Sequence, residues 1–351
     1  MRKYVRVLVL GAGGNVSQGI IKALRNTQLP LRIIGACIWE YSKGLYMCDE
    51  GVICPYAADE KFVTWVIDFC NENDIDIIFT GVEENIIQLA KREQLIKEKT
   101  KAIFISSSYD KLLIGQDKYL TCKFLKESGC NFPKYQLWRG VDSSKDFARS
   151  VGYPIIAKPR NGKSSQGIFT LKSEKDIEKY NKLDNYVLEQ CIGDAESEYT
   201  IGCYVDKNGV LQKLLPMWRK LSNGTTVWAK VIESQAIEDE CTRICKAFKP
   251  KGPLNVQLRL DEDGKPVCFE MNVRFSGTTA IRSHFGFQDV KAMILEYIYE
   301  EDIKNCFNLE FGEVYRFYEE LYLVNGTTDK MRKNGFIKEL QQYIWHQKDK
   351  I

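Results

Sequence analysis

Glu270, Asn272 and Arg274 stand two residues apart in Phe269-Glu270-Met271-Asn272-Val273-Arg274, and Val256-Gln257-Leu258-Arg259-Leu260 precedes them across the acidic turn Asp261-Glu262-Asp263-Gly264-Lys265. In an extended chain alternate side chains share a face, so a hairpin here puts the three residues on one side with Gln257 nearby. One carboxylate and two amide oxygens are hard donors. They suit Mg²⁺ already carried by a nucleotide polyphosphate, because Mg²⁺ takes one or two protein carboxylates and completes its octahedron with phosphates and water. Arg274 would sit beside the same phosphates. Taken alone, Glu-x-Asn-x-Arg describes a solvated strand face equally well, so the rest of the chain has to decide.

A second group of residues is suited to anions. Tyr153-Pro154-Ile155-Ile156-Ala157-Lys158-Pro159 reads as a short strand, followed by Arg160-Asn161-Gly162-Lys163-Ser164-Ser165-Gln166-Gly167 and a strand over 168–171. A loop rich in Gly, Ser and Lys can close over phosphates with backbone N–H groups and hydroxyls while lysine neutralises charge. It is not a Walker loop, which joins a strand to a helix with a different glycine spacing. An ordinary surface hairpin would have the same composition. Upstream, Asp117-Lys118-Tyr119-Leu120 opens an amphipathic helix that Gly129, Asn131 and Pro133 stop. Downstream, Tyr186-Val187-Leu188-Glu189-Gln190-Cys191-Ile192-Gly193 runs from a strand into an acidic loop, and a further strand begins near Glu198.

The elements before these residues alternate. An apolar run over residues 5–10 leads into Gly11-Ala12-Gly13-Gly14-Asn15 and a helix containing Gly19-Ile20-Ile21-Lys22-Ala23-Leu24; strand patterns recur at 31–38 and 75–80, and helical ones at 61–71 and 84–95. This is a β/α plan with a largely parallel sheet. A dinucleotide fingerprint would need glycine or alanine where Val16 stands, and Glu40 is a poor ribose carboxylate, which argues against a dehydrogenase. The glycines serve either close helix-strand packing or a substrate anion at the helix N-terminus.

Composition narrows the class. The chain has 351 residues, 44% of them hydrophobic, and a net charge of +3 without a long basic run, so we expect two or three globular domains, small-molecule partners and no nucleic-acid surface. The opening Met1-Arg2-Lys3-Tyr4-Val5-Arg6 lacks a signal-peptide profile and no apolar stretch approaches a membrane span, which makes a cytoplasmic location the expectation. Twelve scattered cysteines without Cys-x-x-Cys spacing read as buried thiols. With only His284 and His346, histidine-based metal or nucleophilic chemistry has little to draw on.

The order Lys118, Lys158, glycine loop, Glu189-x-x-Ile192, Glu198, Gln257, Glu270-x-Asn272 is more specific than any one member, and it resembles the ATP-grasp superfamily, above all one synthetase half of the carbamoyl phosphate synthetase large subunit. Phe269-Glu270-Met271-Asn272-Val273-Arg274-Phe275-Ser276 is similar to that family's Glu-Met-Asn-Pro-Arg-x-Ser segment, with Val273 in place of proline and, further on, Gly277 in place of arginine. The resemblance covers residues 5 to about 300. It implies a mixed α/β and α+β protein: a Rossmann-like pre-ATP-grasp domain over residues 1–105, a bilobal ATP-grasp domain over 106–310 with a lid subdomain at about 131–190, and a C-terminal extension over 311–351.

By the same resemblance, Lys118 and Lys158 contact phosphates, and Ser164, Ser165, Gln166 and Gly167 form the loop over them. Glu189 and the Ile192 backbone meet adenine, and Glu198 meets ribose, with Glu196 competing for that role. Gln257, Glu270 and Asn272 hold Mg²⁺ or Mn²⁺, and Arg274 lies near the transferred phosphate. The implied activity is an ATP-dependent carboxylate–amine ligase that works through an acyl phosphate and releases ADP and phosphate. A carbamoyl-phosphate-like activation of bicarbonate or carbamate is the alternative, as is an ATP-binding module without turnover. The length leaves room for one ATP-grasp module and excludes a complete two-site carbamoyl phosphate synthetase.

Trp218-Arg219-Lys220-Leu221-Ser222-Asn223-Gly224-Thr225-Thr226 and Lys230 face either substrate or solvent. In the tail, Tyr315-Arg316-Phe317-Tyr318 alternates like an edge strand and residues 330–345 have helical spacing. The tail would complete the core or pair with a second copy in a homodimer.

Overall fold

The structure, a computed structural model, describes residues 4–162, 166–340 and 342–344. These fall into two compact units. One gathers residues up to Tyr109 with Arg274–Glu310 and residues from Arg316 onward, and the other gathers Asp110–Val273 with Phe311–Tyr315.

In the first unit β1 (Val5–Leu10) pairs in parallel with β2 (Leu31–Cys37) and β4 (Ile77–Thr80). β3 (Glu50–Ile53) and β5 (Ile103–Phe104) extend the sheet, and Phe336–Ile337 adds an antiparallel edge beside β3. Parallel strands covered on both faces read as near-continuous apolar runs, which is why β1 does not alternate beyond Arg6. The helices α1 (Asn15–Arg25), α2 (Phe62–Glu72), α3 (Glu83–Lys91) and α4 (Glu93–Lys99) occupy the connections.

Strands β1, β2 and β3 lie in that order to one side, and β4 and β5 lie on the other side of β1. The chain therefore reverses between β1 and β4, the point where open α/β sheets take ligands. Here that point is filled. Gly11 has φ +62°, and a Cβ on it would lie 2.3 Å from Val82 Cγ2; a Cβ on Gly81 would lie 2.5 Å from Val16 Cγ1. The fully buried Ser17 donates its hydroxyl to the Leu10 carbonyl at 3.0 Å and accepts the Gly81 N–H at 2.9 Å. Close packing thus accounts for Gly11, and Val16 packs against Gly81. Gly11→Ala would combine a left-handed backbone with a steric overlap and is expected to cost on the order of 1–3 kcal/mol. Urea unfolding checks this, and an unchanged midpoint would contradict the packing.

The segment after Arg274 packs short helices, Thr279–His284 and Asp289–Ile294, on α1 of the same unit. Arg282 is fully buried there and pairs with Asp289 at 2.8 Å. His284 is exposed, whereas His346 lies outside the described residues. The tail departs from its helical spacing. A helix covers Thr327–Asn334 only, because Gly335 turns left-handed at φ +69°, and the chain continues as strands Phe336–Ile337 and Gln342–Ile344.

In the second unit α5 (Tyr109–Gln116) and α6 (Lys118–Glu127) precede β6 (Tyr135–Leu137), α7 (Val141–Val151), β7 (Ile155–Pro159), β8 (Phe169–Leu171), α8 (Glu174–Lys179) and β9 (Tyr186–Gln190). The strands form an antiparallel sheet in the order β6-β9-β7-β8. Phe147, Ala148, Ile155, Ala157, Leu171, Ile177 and Leu188 fill the core between it and its helices. A second antiparallel sheet contains β10 (Glu198–Val205), β11 (Leu211–Ser222), β12 (Thr225–Val231), β13 (Gly252–Leu260), β14 (Pro266–Asn272) and β15 (Glu313–Tyr315), in the order β14-β13-β10-β11-β12-β15. Helix α9 (Gln235–Phe248) packs on β10 and β11. No helix among the described residues is long and apolar enough to cross a membrane.

Candidate active site

The register of the larger sheet builds the site. Gln257 is opposite Glu270, Asn255 is opposite Asn272, and β10 places Glu198 opposite Arg259 and Thr200 opposite Gln257. Met217 is opposite Thr200, so the parity of β11 brings Arg219 to the same face beside Glu198. The 13–14 hairpin contains a bulge: Gln257 pairs with Glu270 but Leu258 pairs with Cys268, leaving Phe269 as the extra residue. Its closing turn is held by Asp261 Oδ1, which accepts the N–H groups of Asp263 and Lys265, and Gly264 supplies the positive φ of 75°.

Three proposed cation ligands converge. Asn272 Nδ2 donates to Glu270 Oε1 at 3.1 Å, and Gln257 Nε2 approaches the same oxygen at 3.4 Å. A single carboxylate with two amides is a sparse set for a free divalent ion, and among the described residues no cluster of three His, Cys, Asp or Glu forms a metal site. The set does fit Mg²⁺ or Mn²⁺ that brings phosphate oxygens with it.

Glu198 is clamped on both sides. Its Oε1 accepts from Arg219 Nη2 at 2.8 Å and Nε at 3.2 Å, and its Oε2 accepts from Arg259 Nη2 at 2.8 Å. Burial pushes this carboxyl up, but the two guanidiniums outweigh that and hold it below the usual range. Glu196 differs: it is exposed, pairs with Lys220, and accepts the Trp218 indole N–H through its carbonyl.

The lysines sit at two depths. Asp117 caps α6 by accepting the N–H groups of Tyr119 and Leu120, and its carboxylate also receives Arg160. Lys118, the first residue of that helix, donates to the Gly162 carbonyl at 3.0 Å. Lys158 lies deeper and pairs with Glu189 at 2.7 Å, its ammonium 4.9 Å from the centre of the Phe269 ring. Burial disfavours the ammonium, yet the Glu189 carboxylate more than compensates and raises its pKa. Glu189 lies within the smaller sheet, opposite Tyr135 on one side and Ile156 on the other, and Ile192 falls just beyond the strand end.

A cleft in this unit is lined by Lys118, Pro159, Gly162, Gln166, Ile168, Arg219, Leu221, Gly224, Gln257 and Glu270. It thus brings Lys118, Gln166, Gln257 and Glu270 together. Lys158, Gly167, Glu189, Ile192, Glu198 and Asn272 do not line it, and Ser164 and Ser165 lie outside the described residues. Arg274 departs from the expected hairpin face: β14 stops at Asn272, Val273 packs into the space beside Gly115, and Arg274 belongs to the other unit. Arg219 stands out only now. Leu215 and Met217 are fully buried at the same strand parity, so an arginine continuing that series was the available signal.

Residues 194–306 match a family described as ATP-grasp in the biosynthetic pathway with Ter operon, and residues 7–103 match the PylC-like N-terminal domain. The chain carries an ATP-grasp domain. N5-carboxyaminoimidazole ribonucleotide synthetase from Thermotoga maritima has a similar fold, with a TM-score of 0.63 and 20% identity, over 88% of this chain and 77% of that one. The Staphylococcus aureus N5-carboxyaminoimidazole synthetase, solved with ADP, gives 0.67 and 16% over 95% and 86% of the two chains. The carbamoyl phosphate synthase large chain of Thermoanaerobacter pseudethanolicus is 27% identical over 216 residues, which is 54% of this chain and 19% of that protein. The arginine-specific large chain of Cutaneotrichosporon cutaneum is 22% identical over 301 residues, 79% of this chain and 25% of that protein. The chain therefore spans about a fifth to a quarter of these relatives.

Proposed function

We propose that this ATP-grasp chain is an ATP-dependent ligase that joins a small carboxylic acid to an amine and releases ADP and phosphate. The observation that supports it most is the convergence of Gln257 and Asn272 on Glu270, on a sheet face whose cleft also holds Lys118 and Gly162.

An oxygen of the acid attacks the terminal phosphorus of ATP, the bond to ADP breaks, and an acyl phosphate forms. The amine nitrogen then adds to the acyl carbon, phosphate leaves with its electron pair, and the nitrogen loses a proton. Such chemistry depends on positioning and charge neutralisation and needs no histidine. Lys118 and Gln166 would meet phosphate oxygens in the cleft, with Lys158 held behind by Glu189. The backbone of Glu189 and Ile192 would read the adenine edge, and Glu198 the ribose. Gln257, Glu270 and Asn272 would hold Mg²⁺ or Mn²⁺, which supplies charge neutralisation when bound with nucleotide. We place the enzyme in the cytoplasm, in keeping with twelve unbridged cysteines. One structural neighbour is described as a domain dimer, so a homodimer is the first assembly to test.

Saturating Mg·ATP is expected to raise the melting temperature, since a ligand at 100 times its Kd stabilises the folded state by about 2.7 kcal/mol. Absence of a thermal shift and of calorimetric heat would remove the nucleotide assignment. ADP release across a panel of acids and amines, bicarbonate included, then identifies the reaction, and nucleotide binding without turnover on any pair would favour a binding module.

A further inference from the structure

We propose that Arg219 donates hydrogen bonds to the phosphoryl group in transfer, held in place by Glu198 and Gln257; this rests on the ATP-dependent reading above. Arg219 is only 7% exposed. Burying a guanidinium is costly unless its donors are used. Three of its five N–H bonds are accounted for: Nε and Nη2 reach Glu198 Oε1, and Nη2 also reaches Gln257 Oε1 at 2.7 Å. The two on Nη1 have no acceptor among the described residues, although the residue lines the cleft with Lys118, Gln257 and Glu270. A fixed fork with a spare pair of donors, opening on a cleft that contains another cation, is suited to an oxyanion.

The charge balance agrees. Glu198 is shared with Arg259, and with Lys118 in the cleft three cations stand against the carboxylates of Glu198 and Glu270. Arg219 also orients Gln257, whose carbonyl oxygen it engages while the amide nitrogen turns to Glu270. One guanidinium therefore spans from the carboxylate matched to ribose to the residues matched to the metal. That location favours the phosphoryl oxygens over the carboxylate of the acid substrate, and it makes Glu198 a positioning residue for Arg219 as well.

The test is calorimetry with Mg·ADP, alone and with aluminium fluoride, which stands in for the phosphoryl group. Arg219→Met removes the donors at similar length, Arg219→Lys keeps the charge without the fork, and Arg219→Met with Glu198→Gln also removes the carboxylate left behind. In the wild type, fluoride should tighten Mg·ADP binding by roughly 100-fold, the scale of one oxyanion donor set. The readout is the fluoride gain, the ratio of each variant's Mg·ADP affinities with and without fluoride: Arg219→Met should lose most of it, with Arg219→Lys intermediate.

Full retention of the gain in Arg219→Met would overturn the proposal and leave Arg219 as a clamp for Glu198. Equal loss of Mg·ADP binding in Arg219→Met and the double variant would overturn it too, as would a wild type that binds Mg·ADP without any fluoride gain. A wild type that binds no Mg·ADP would overturn the ATP-dependent reading itself.

Discussion

Glu270→Gln is expected to leave the protein folded and to lower its ADP release on the order of 100-fold or more. The substitution keeps size and hydrogen-bonding capacity but removes the only formal negative charge among Gln257, Glu270 and Asn272. Glu270 lines the cleft and its Oε1 receives the Asn272 and Gln257 amides, so the neutral replacement still has partners. Its stability cost should be roughly 1 kcal/mol or less. Asn272→Ala should act in the same direction, and the double variant should be less than additive because both side chains touch one ion. ADP release across a Mg²⁺ titration, with unfolding midpoints alongside, checks this. Wild-type rates in Glu270→Gln would make the hairpin a structural edge.

The largest effect on stability is expected in the other unit. Arg282 and Asp289 are both fully buried, 2.8 Å apart, and Arg282 also donates to Ser276 Oγ at 2.8 Å. Arg282→Met strands the Asp289 carboxylate where water cannot reach it, at a cost of about 3–5 kcal/mol. Replacing both, as Arg282→Met with Asp289→Leu, removes the stranded charge and should recover a substantial part of the loss. Urea unfolding of the two variants separates these outcomes. A double variant no better than the single one would show that packing around Arg282, not its charge partner, holds this part of the fold.

How far the sequence could be read depends on how local each feature is. Alternation puts Glu270 and Asn272 on one face, but the extra residue at Phe269 is what brings Gln257 opposite Glu270; an unbroken alternation from the Leu260–Pro266 pair would have turned them to opposite faces. The same rule fails two residues later, where the strand has stopped and Arg274 no longer obeys it. The strand, glycine loop and helix at the start were likewise readable. That Val82 closes the space beside Gly11 was not, since it depends on which strand lies next to β1. Glu198 draws one arginine from 21 residues away and another from 61, and such pairings leave no local trace.

The extra residue at Phe269 sets the frame of the hairpin. Cys268 and Met271 are both fully buried, three positions apart, which strict alternation forbids and one inserted residue permits. The inserted ring is itself employed, with Lys158 4.9 Å and Arg259 5.8 Å from its centre. The strand thus works like a sentence with one extra syllable: shorten it by a single residue at the bulge, and either the thiol or the carboxylate must trade places with its opposite. Length variation should therefore be tolerated at the Asp261–Lys265 turn and refused at Phe269, so natural or engineered relatives can vary the tip of this hairpin freely while its waist stays fixed.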